Sequence, residues 1–297
     1  MSVLPWFTPI YQHLTGRLLA SKLHHGLLLT GPAGIGKDLL AGELAKTLLC
    51  RQVDEMGYCG QCHSCQVFEA GTHPDFISLV SEKQLGVDKV REGITSLSAT
   101  AQFSGNKVLM IPEADKMTES AANALLKTLE EPTPNTFLLL ITDRPQQLLA
   151  TIISRCEKHV LARPSSEMAL QWLQQQGVHD ATEALLHAYS DAPLDLKAAL
   201  EQGDGLSYRE YADGLDNLLA GQVDAVTLAT QWQDSAGRVV GWLQQFARAQ
   251  YTETLQTEHF HLFEACSQVQ RTLLNPGVNK IMLLSSLLAE VKRPVKP

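Results

Sequence analysis

Long apolar runs are missing from this sequence of 297 residues. A membrane-spanning helix needs about 18–20 consecutive apolar residues, and no segment approaches that length. The first residues, MSVLPWF, also lack the basic start and apolar centre of a secretion signal. We therefore expect a cytoplasmic protein without a membrane anchor.

Cationic side chains are also scarce. Lys and Arg number 24 against 32 Asp and Glu, which gives a formal net charge of −8. The shortage of basic residues lies in the later part of the chain. Residues 1–163 carry 15 basic and 16 acidic side chains, whereas residues 164–297 carry 9 basic and 16 acidic side chains. A surface that binds nucleic acid needs clustered cations. The acidic C-terminal part therefore suits a protein partner better than DNA.

Short apolar runs alternate with helical patterns over residues 1–163. Near-continuous apolar runs are typical of strands buried on both faces of a parallel sheet. The strands are predicted at Gly26–Thr30, 76–80, Lys107–Ile111, Thr136–Thr142 and 158–162. Helices are predicted at 38–50 and 120–131. Alternating strands and helices indicate a doubly wound α/β domain.

The composition changes after residue 163, and helical patterns then follow one another to the end. Residues 165–202 resemble a small helical unit, and a Gly-Asp-Gly turn at 203–205 separates it from longer helices over 206–291. The predicted organisation is an α/β domain at 1–163, a small helical domain at 164–205 and a C-terminal helical domain at 206–297.

A phosphate-binding loop is predicted where the first strand meets the next helix. Gly31, Gly34, Gly36 and Lys37 match the pattern G-x4-G-K. Glycines let backbone N–H groups turn toward phosphate, the helix N-terminus adds positive potential, and the lysine reaches the terminal phosphates. The loop departs from the pattern at Asp38, which stands where a hydroxyl would hold Mg²⁺.

A second departure follows the third predicted strand. Pro112 occupies the position that normally carries a Mg²⁺-binding aspartate, and Glu113 occupies the position of the water-activating acid without a partner. Two independent losses in one catalytic apparatus indicate a loop that does not hydrolyse nucleotide, and binding of ATP with Mg²⁺ by this chain is itself doubtful.

Four cysteines lie within 16 residues, with the spacing C-x8-C-x2-C-x2-C. A closed set of four thiolates is typical of a structural zinc site. An iron–sulfur cluster, disulfides and free thiols are the alternatives, although the C-x3-C-P ending of many clusters is absent. The predicted ligands are Cys50, Cys59, Cys62 and Cys65, at residues 50–65. The nearby His63 and His73 are interpreted as surface or packing residues.

Arg155 lies in the triplet Ser-Arg-Cys at 154–156, just before the last predicted strand. This triplet is typical of an arginine finger, which is aimed at the nucleotide of a neighbouring subunit and stabilises charge on the transferred phosphoryl group. Thr142, at the end of the fourth predicted strand, fits a position that senses the γ-phosphate in related ATPases.

Taken with the loop and the cysteines, the segments AANALLKTLEEP (121–132) and SRC resemble the clamp-loader branch of the AAA+ family. The strings HHGLLLTGPAGIGK, GTHPDF, LLATIISRC and NPGVNKIMLLSSLLAEV resemble a non-hydrolysing subunit of that branch. The resemblance implies an AAA+ domain, a helical lid and a helical collar. It also implies structural zinc on the four cysteines and Arg155 as a finger supplied in trans.

The partners that the resemblance implies are motor subunits (γ or τ) and δ in a hetero-pentamer. That complex uses ATP to open a ring-shaped sliding clamp and set it on primed DNA during replication, as part of a DNA polymerase holoenzyme. In such a complex the chain would act as a stator without hydrolysing ATP itself.

Two other functions compete with this interpretation. An active, γ-like motor ATPase would need Ser or Thr at position 38 and Asp at position 112. A DNA-binding zinc module would need a basic face, and the cysteine segment carries no run of Lys or Arg.

Overall fold

A computed structural model of the chain describes residues 3–81, 83–103, 105–202, 206–273, 275 and 277–291. The chain divides into two compact units, Met1–Met168 and Ala169–Pro297. The first unit holds a five-stranded sheet, and the second is helical throughout its described residues. No helix in the described ranges is long and apolar enough to cross a membrane.

The sheet of the first unit is entirely parallel. Its strands are β1 (Gly26–Thr30), β2 (Phe76–Ser78), β3 (Lys107–Ile111), β4 (Thr136–Thr142) and β5 (Glu157–Val160). The order across the sheet is β2-β3-β4-β1-β5, and each neighbouring pair runs in the same direction. The predicted parallel α/β class is confirmed, and all five predicted strands are present.

Helices cover both faces of this sheet. They are α1 (Thr8–Leu19), α2 (Lys37–Leu49), α3 (His63–Glu69), α4 (Val87–Ser98), α5 (Glu119–Glu130) and α6 (Ala150–Ile153), with single 3-10 turns at Pro5–Phe7, Ala114–Lys116 and Pro145–Gln147. Leu28, Leu138 and Leu140 pack into one core with α4, α5 and α6. The alternate residues Leu27 and Leu139 are equally buried. The strands are apolar throughout because both of their faces are covered.

The helices begin and end where the sequence supplies local signals. The Thr118 hydroxyl accepts a hydrogen bond from the Ala121 N–H and caps the start of α5. Pro132, which cannot donate to a helical carbonyl, follows its end. Helices α2 and α5 each lie one residue earlier than the predicted 38–50 and 120–131.

Two strands end earlier than the apolar pattern predicts. The backbone N–H of Leu79 makes the last bond to β3, and the chain leaves the sheet at Val80, which is 59% exposed. In β5, the outer strand on the opposite side of the sheet, Val160 pairs with Thr30, the last residue of β1. Strand β5 therefore has no partner strand for residues beyond Leu161, whose N–H bonds to the Thr30 carbonyl.

All five strands run in the same direction, so their carboxyl ends lie along one edge of the sheet, the carboxyl edge, and their amino ends lie along the opposite, amino edge. The glycine loop 31–36 follows β1, Pro112 follows β3 and Thr142 ends β4, so all three lie at the carboxyl edge. Arg155 precedes β5 and lies at the amino edge. Ligands bind outside the carboxyl ends of strands in folds of this type.

The second unit consists of helices around two clusters of buried residues. Its helices are α7 (Ser166–Gln175, which starts in the first unit), α8 (Glu183–Ala188), α9 (Pro193–Gln202), α10 (Tyr208–Leu219), α11 (Ala225–Trp232), α12 (Ala236–Thr254), α13 (Thr257–Thr272) and α14 (Lys280–Val291), with a 3-10 turn at Gln233–Ser235. A small core holds Leu173, Leu186 and Leu196. A larger one joins α10 to α14 around Trp232 and Trp242. The predicted absence of strands after residue 163 is confirmed for the described residues.

The two cores of this unit are in contact. The side-chain amide of Gln245 in α12 donates to the Ser190 hydroxyl at 2.8 Å, and the rings of Tyr189 and Trp242 lie 5.9 Å apart, edge to face. The predicted turn at 203–205 lies outside the described residues. The division of the helical part into domains 164–205 and 206–297 stays a prediction.

The cysteine segment is anchored on α1 and α2 by a close glycine contact. The Thr47 hydroxyl donates to the Glu43 carbonyl, so the Tyr11 hydroxyl donates to Thr47, at 2.6 Å. Gly57 has φ +116°, and a Cβ atom there would lie 2.1 Å from the Tyr11 hydroxyl oxygen. Only glycine satisfies both the backbone angle and this approach.

We expect Gly57→Ala to lower the free energy of unfolding of the first unit by about 3 kcal/mol, because it combines backbone strain with overpacking. Thermal unfolding followed by circular dichroism measures the change. The matched control is Gly71→Ala, which has φ +72° and no atom within 4 Å of the new Cβ atom. Equal losses in the two variants would show that the Tyr11 contact does not matter.

Candidate functional site

The loop 31–36 has the backbone of a phosphate-binding loop. It connects β1 to α2, and Gly34 and Gly36 have φ of +68° and +89°. A Cβ atom at Gly31 would lie 2.5 Å from the Leu161 carbonyl oxygen. The structure therefore confirms the strand–loop–helix context predicted for this motif, and it brings the loop close to the end of β5.

The loop lysine is turned toward the loop itself. The Lys37 ammonium donates to the Pro32 carbonyl at 2.7 Å, and Lys37 is buried. The indole N–H of Trp6 donates to the Ile35 carbonyl at 2.9 Å from the N-terminal side. Two loop carbonyls are thus bonded within the chain, one of them to the ammonium that would otherwise reach a phosphate.

Carboxylates surround the position where the hydroxyl is missing. Loss of contact with bulk water raises the pKa of Asp38, although the residue as a whole is exposed. The Lys37 ammonium acts in the opposite direction, and the negative charges of Glu113 and Asp143 raise the pKa of Asp38 further. Two further carboxylates therefore act on Asp38 at the carboxyl edge, where a nucleotide would add more negative charge.

The other predicted catalytic positions are bonded within the protein. Glu113, directly after Pro112, has φ +50° and pairs with the Lys116 ammonium at 2.8 Å. The Thr142 hydroxyl donates to an Asp115 carboxylate oxygen at 2.5 Å and accepts from the Arg144 N–H at 2.9 Å. Both side chains lie at the carboxyl edge, and their contacts are with neighbouring residues of the chain.

Arg155 lies at the amino edge, away from the loop. Its Nε donates to the Glu130 Oε1 atom at 2.7 Å, and Nη2 lies 2.5 Å from the same oxygen. Nη1 donates to the Thr151 carbonyl at 3.0 Å. The Arg155 side chain keeps 34% of its surface exposed. The guanidinium is therefore held in place and still open to solvent.

The four predicted cysteine ligands converge on one point. Their sulfur atoms all lie within 4.8 Å of one another, and none is in a disulfide. The backbone N–H groups of Gln52 and Cys59 each donate to the Cys50 sulfur at 3.3 Å, and that of Cys62 donates to the Cys59 sulfur at 3.3 Å. Such donors stabilise thiolates, and the cluster could hold a metal ion.

The pKa values of these thiols diverge because their surroundings differ. Burial raises the pKa of Cys50 and Cys65. Burial acts in the same direction on Cys62, but backbone N–H donors of Arg51 and Cys65 outweigh it and lower the pKa of Cys62 to about 6. A ligand set that is partly ionised before a metal arrives is suited to a divalent cation of the zinc type.

A buried polar network joins the cysteine segment to the sheet. The Ser64 hydroxyl donates to the Leu49 carbonyl at 2.6 Å and lies 2.8 Å from His73 Nε2, while His73 Nδ1 accepts from the Asp75 N–H. The Asp75 carboxylate accepts the backbone N–H groups of Gln102 and Phe103. The interpretation of His73 as a packing residue fits this position, because burial lowers its pKa and so disfavours the charged form.

Two of these residues, Asp75 and Glu130, could not be identified from the sequence. Asp75 is part of the string GTHPDF, but nothing in its spacing shows that it bonds to residues 102 and 103. Glu130 is the first glutamate of LEEP, at the end of α5, and a charged residue at a helix end is usually solvent-exposed. The sequence contains no signal that pairs Glu130 with an arginine 25 positions later.

Comparison with known proteins places the chain in a family. The family model described as "DNA polymerase III, delta subunit" matches residues 7–165, which is more than half of the chain. A Pseudomonas aeruginosa protein named DNA polymerase III subunit delta' is 39% identical over 236 residues, covering 77% of this chain and 71% of that protein. This chain belongs to the DNA polymerase III delta-prime family. An Escherichia coli protein of the same name is 42% identical over 211 residues, covering 69% of this chain and 63% of that protein.

A further delta-prime protein matches over a shorter segment. A Bacillus subtilis protein named DNA polymerase III subunit delta' is 41% identical over 138 residues, covering 46% of this chain and 41% of that protein. The matched segments therefore span less than two thirds of the E. coli and B. subtilis proteins. The resemblance to a clamp-loader family, made from the loop, the cysteines and the segments at 121–132 and 154–156, is confirmed at the level of the delta-prime family.

The fold of this delta-prime family member also has a solved counterpart. A Thermotoga maritima protein described as DNA polymerase III, gamma subunit-related, matches with a TM-score of 0.53 at 18% identity, over 95% of this chain and 98% of that one. At that identity the match concerns the fold alone, and it agrees with a parallel α/β domain followed by helices.

Proposed function

We propose that the chain is the stator subunit of a bacterial DNA polymerase III clamp loader. In this role it supports ATP-driven loading of a sliding clamp on primed DNA, does not hydrolyse ATP itself, and supplies Arg155 to the nucleotide site of the adjacent motor subunit. Membership in the delta-prime family supports the assignment.

The observation that carries the proposal is the separation of Arg155 from the chain's own glycine loop. A strand rises about 3.3 Å per residue, so the five residues of β1 separate the two edges of the sheet by roughly 15 Å. Arg155 lies at the amino edge and the loop at the carboxyl edge, so the guanidinium cannot serve a nucleotide in its own loop. A finger in this position acts on a nucleotide held by another subunit.

The contacts of the loop support a site that does not hydrolyse ATP. Bound Mg-ATP would supply a phosphoryl group for transfer, and Gly31, Gly34, Gly36 and Lys37 are the residues that would hold its phosphates. Asp38 removes the hydroxyl ligand for Mg²⁺, Pro112 removes the carboxylate ligand, and neighbouring acids oppose the phosphate charge. An active γ-like motor stays the second candidate, supported by the intact loop backbone.

The partners we propose are γ or τ motor subunits and δ in a hetero-pentamer, with contact to the clamp and DNA made through the complex.

We also propose the domain organisation 1–163 (AAA+), 164–205 (lid) and 206–297 (collar), which the separate cores around Leu186 and Trp242 support. A cytoplasmic location agrees with six cysteines that form no disulfide.

We propose zinc as the metal held by Cys50, Cys59, Cys62 and Cys65. Four sulfur ligands fill a tetrahedral shell and leave no open position, so the ion would be structural. Cys50 directly follows α2, and Cys65 lies within α3. The ion would thus fix the segment between these helices.

Cys62→Ser should abolish stoichiometric zinc binding and destabilise residues 50–75, because binding of structural zinc is coupled to folding. Elemental analysis should give about one zinc per wild-type chain and far less in the variant. Hydrogen exchange should show lost protection confined to this segment. Cys266→Ala, in the helical unit, should retain the zinc. Purified wild-type chain without zinc would contradict the assignment, and iron in its place would support the iron–sulfur alternative.

Asp38→Thr should not create ATPase activity, because Pro112 still denies Mg²⁺ its second protein ligand. Phosphate release from Mg-ATP by the purified chain measures this, with a motor subunit as positive control. Turnover by Asp38→Thr, or by the wild-type chain alone, would favour the motor interpretation.

Arg155→Ala should leave folding and assembly intact and lower the DNA-stimulated ATPase of the reconstituted complex. An arginine finger is worth about 10³–10⁵ in rate at the site it serves. In the proposed pentamer, this chain and one δ leave three motor subunits, and only the motor site beside this chain loses its finger. Total turnover should therefore fall by roughly a third or more while the other motor sites continue. The control is Arg91→Ala, which removes an exposed arginine near Asp88 on α4. Unchanged turnover in a fully assembled Arg155→Ala complex would overturn the finger assignment.

A further inference from the structure

The amino edge of the sheet holds a contact between two residues that are far apart in the sequence. Glu130 is the last residue of α5, and Arg155 follows α6 by two positions. One carboxylate oxygen of Glu130 accepts a hydrogen bond from Nε of the arginine at 2.7 Å and lies 2.5 Å from Nη2. The pair is only half-buried, so its attraction alone contributes little to stability.

The backbones on both sides of this pair are fixed by the core. Leu129 and Ile152 are buried in the same cluster, at 2% and 0% exposure, and α5 packs on α6. The last turn of α5 is also bonded to the start of the sheet, because His25 Nε2 lies 2.7 Å from the Leu129 carbonyl oxygen. The Glu130 carboxylate therefore projects from a rigid support.

The arginine is held along two edges of its guanidinium group. Glu130 takes the Nε and Nη2 side, while the Thr151 carbonyl and the Ser154 hydroxyl receive Nη1 at 3.0 and 3.4 Å. An arginine side chain has four rotatable bonds, and these contacts restrict it before any partner arrives.

We propose that Glu130 is a positioning residue for Arg155, which holds the guanidinium in the orientation required by the neighbouring nucleotide. This inference rests on the proposed function of Arg155 as a finger in trans. A group that is oriented in advance loses little entropy when the transition state forms. Glu130 acts only through Arg155 and does not itself touch the nucleotide.

The test compares Glu130→Gln with Glu131→Gln in the fully reconstituted complex. Glu131 carries the same charge on the next residue and is exposed, so its variant controls for the change in net charge. The quantity measured is the Arg155-dependent turnover, which is the DNA-stimulated ATPase of the wild-type complex minus that of Arg155→Ala. We expect Glu130→Gln to lower this part of kcat about five-fold without changing the KM for ATP. Glu131→Gln should match wild type.

The double variant Glu130→Gln with Arg155→Ala separates positioning from a general structural role. It should have the same turnover as Arg155→Ala alone, because Glu130 has nothing left to orient. A further loss in the double variant, or a changed KM, would assign Glu130 a structural role and overturn the inference. Wild-type or raised turnover in Glu130→Gln would overturn it as well, and raised turnover would make the carboxylate a restraint on the arginine.

Failure of the inference and failure of the proposed function give different results. If Arg155→Ala has no effect on an assembled complex, the finger assignment is wrong and the role of Glu130 fails with it. If Arg155→Ala lowers turnover and Glu130→Gln does not, only the role of Glu130 is wrong. The contact itself is checked in the chain alone by the NMR signal of the Arg155 Nε–H, which should shift in Glu130→Gln and stay unchanged in Glu131→Gln.

Discussion

The parallel direction of the five strands is the constraint on which the rest of this structure depends. Because of it, the ends of β1, β3 and β4 lie at the carboxyl edge of the sheet and the start of β5 lies at the amino edge. The glycine loop and the arginine cannot meet within one chain, so any reaction that uses both must combine two subunits. This geometry and the delta-prime family membership both agree with the proposed assembly, in which Arg155 acts on a nucleotide held by a neighbouring subunit.

Much of the fold follows from the sequence because its signals are local. The apolar runs predict the strands, Pro132 predicts the end of α5, and the spacing of Cys50 to Cys65 predicts a sulfur cluster that the structure brings together. The contacts of Lys37 with Pro32 and of Glu130 with Arg155 could not be predicted in this way. They depend on how a loop folds back and on how two helices pack, and neither property is encoded in residue spacing.

The cysteine segment is connected to the α/β domain at several points. Cys50 directly follows α2, Gly57 contacts Tyr11 of α1, and Ser64 bonds to both Leu49 and His73. Since α2 begins at the glycine loop, an ion on the cysteines would stabilise the far end of the same helix. The cysteine segment thus helps to stabilise the α/β domain. Any effect of a bound ion on function would be exerted through the position of α2.

The glycine loop has a packing role that does not depend on ATP hydrolysis. Gly31 has no room for a side chain beside the Leu161 carbonyl, Gly34 and Gly36 adopt positive φ, and Lys37 is buried with its ammonium on the Pro32 carbonyl. These features join β1 to α2 and to the end of β5 through contacts within the chain itself. Positions 38 and 112 lack such constraints, since Asp38 is exposed and Pro112 follows the last residue of β3. Under the proposed function, the Mg²⁺ ligands missing at positions 38 and 112 matter only for hydrolysis, whereas the three glycines and Lys37 also determine how the loop packs.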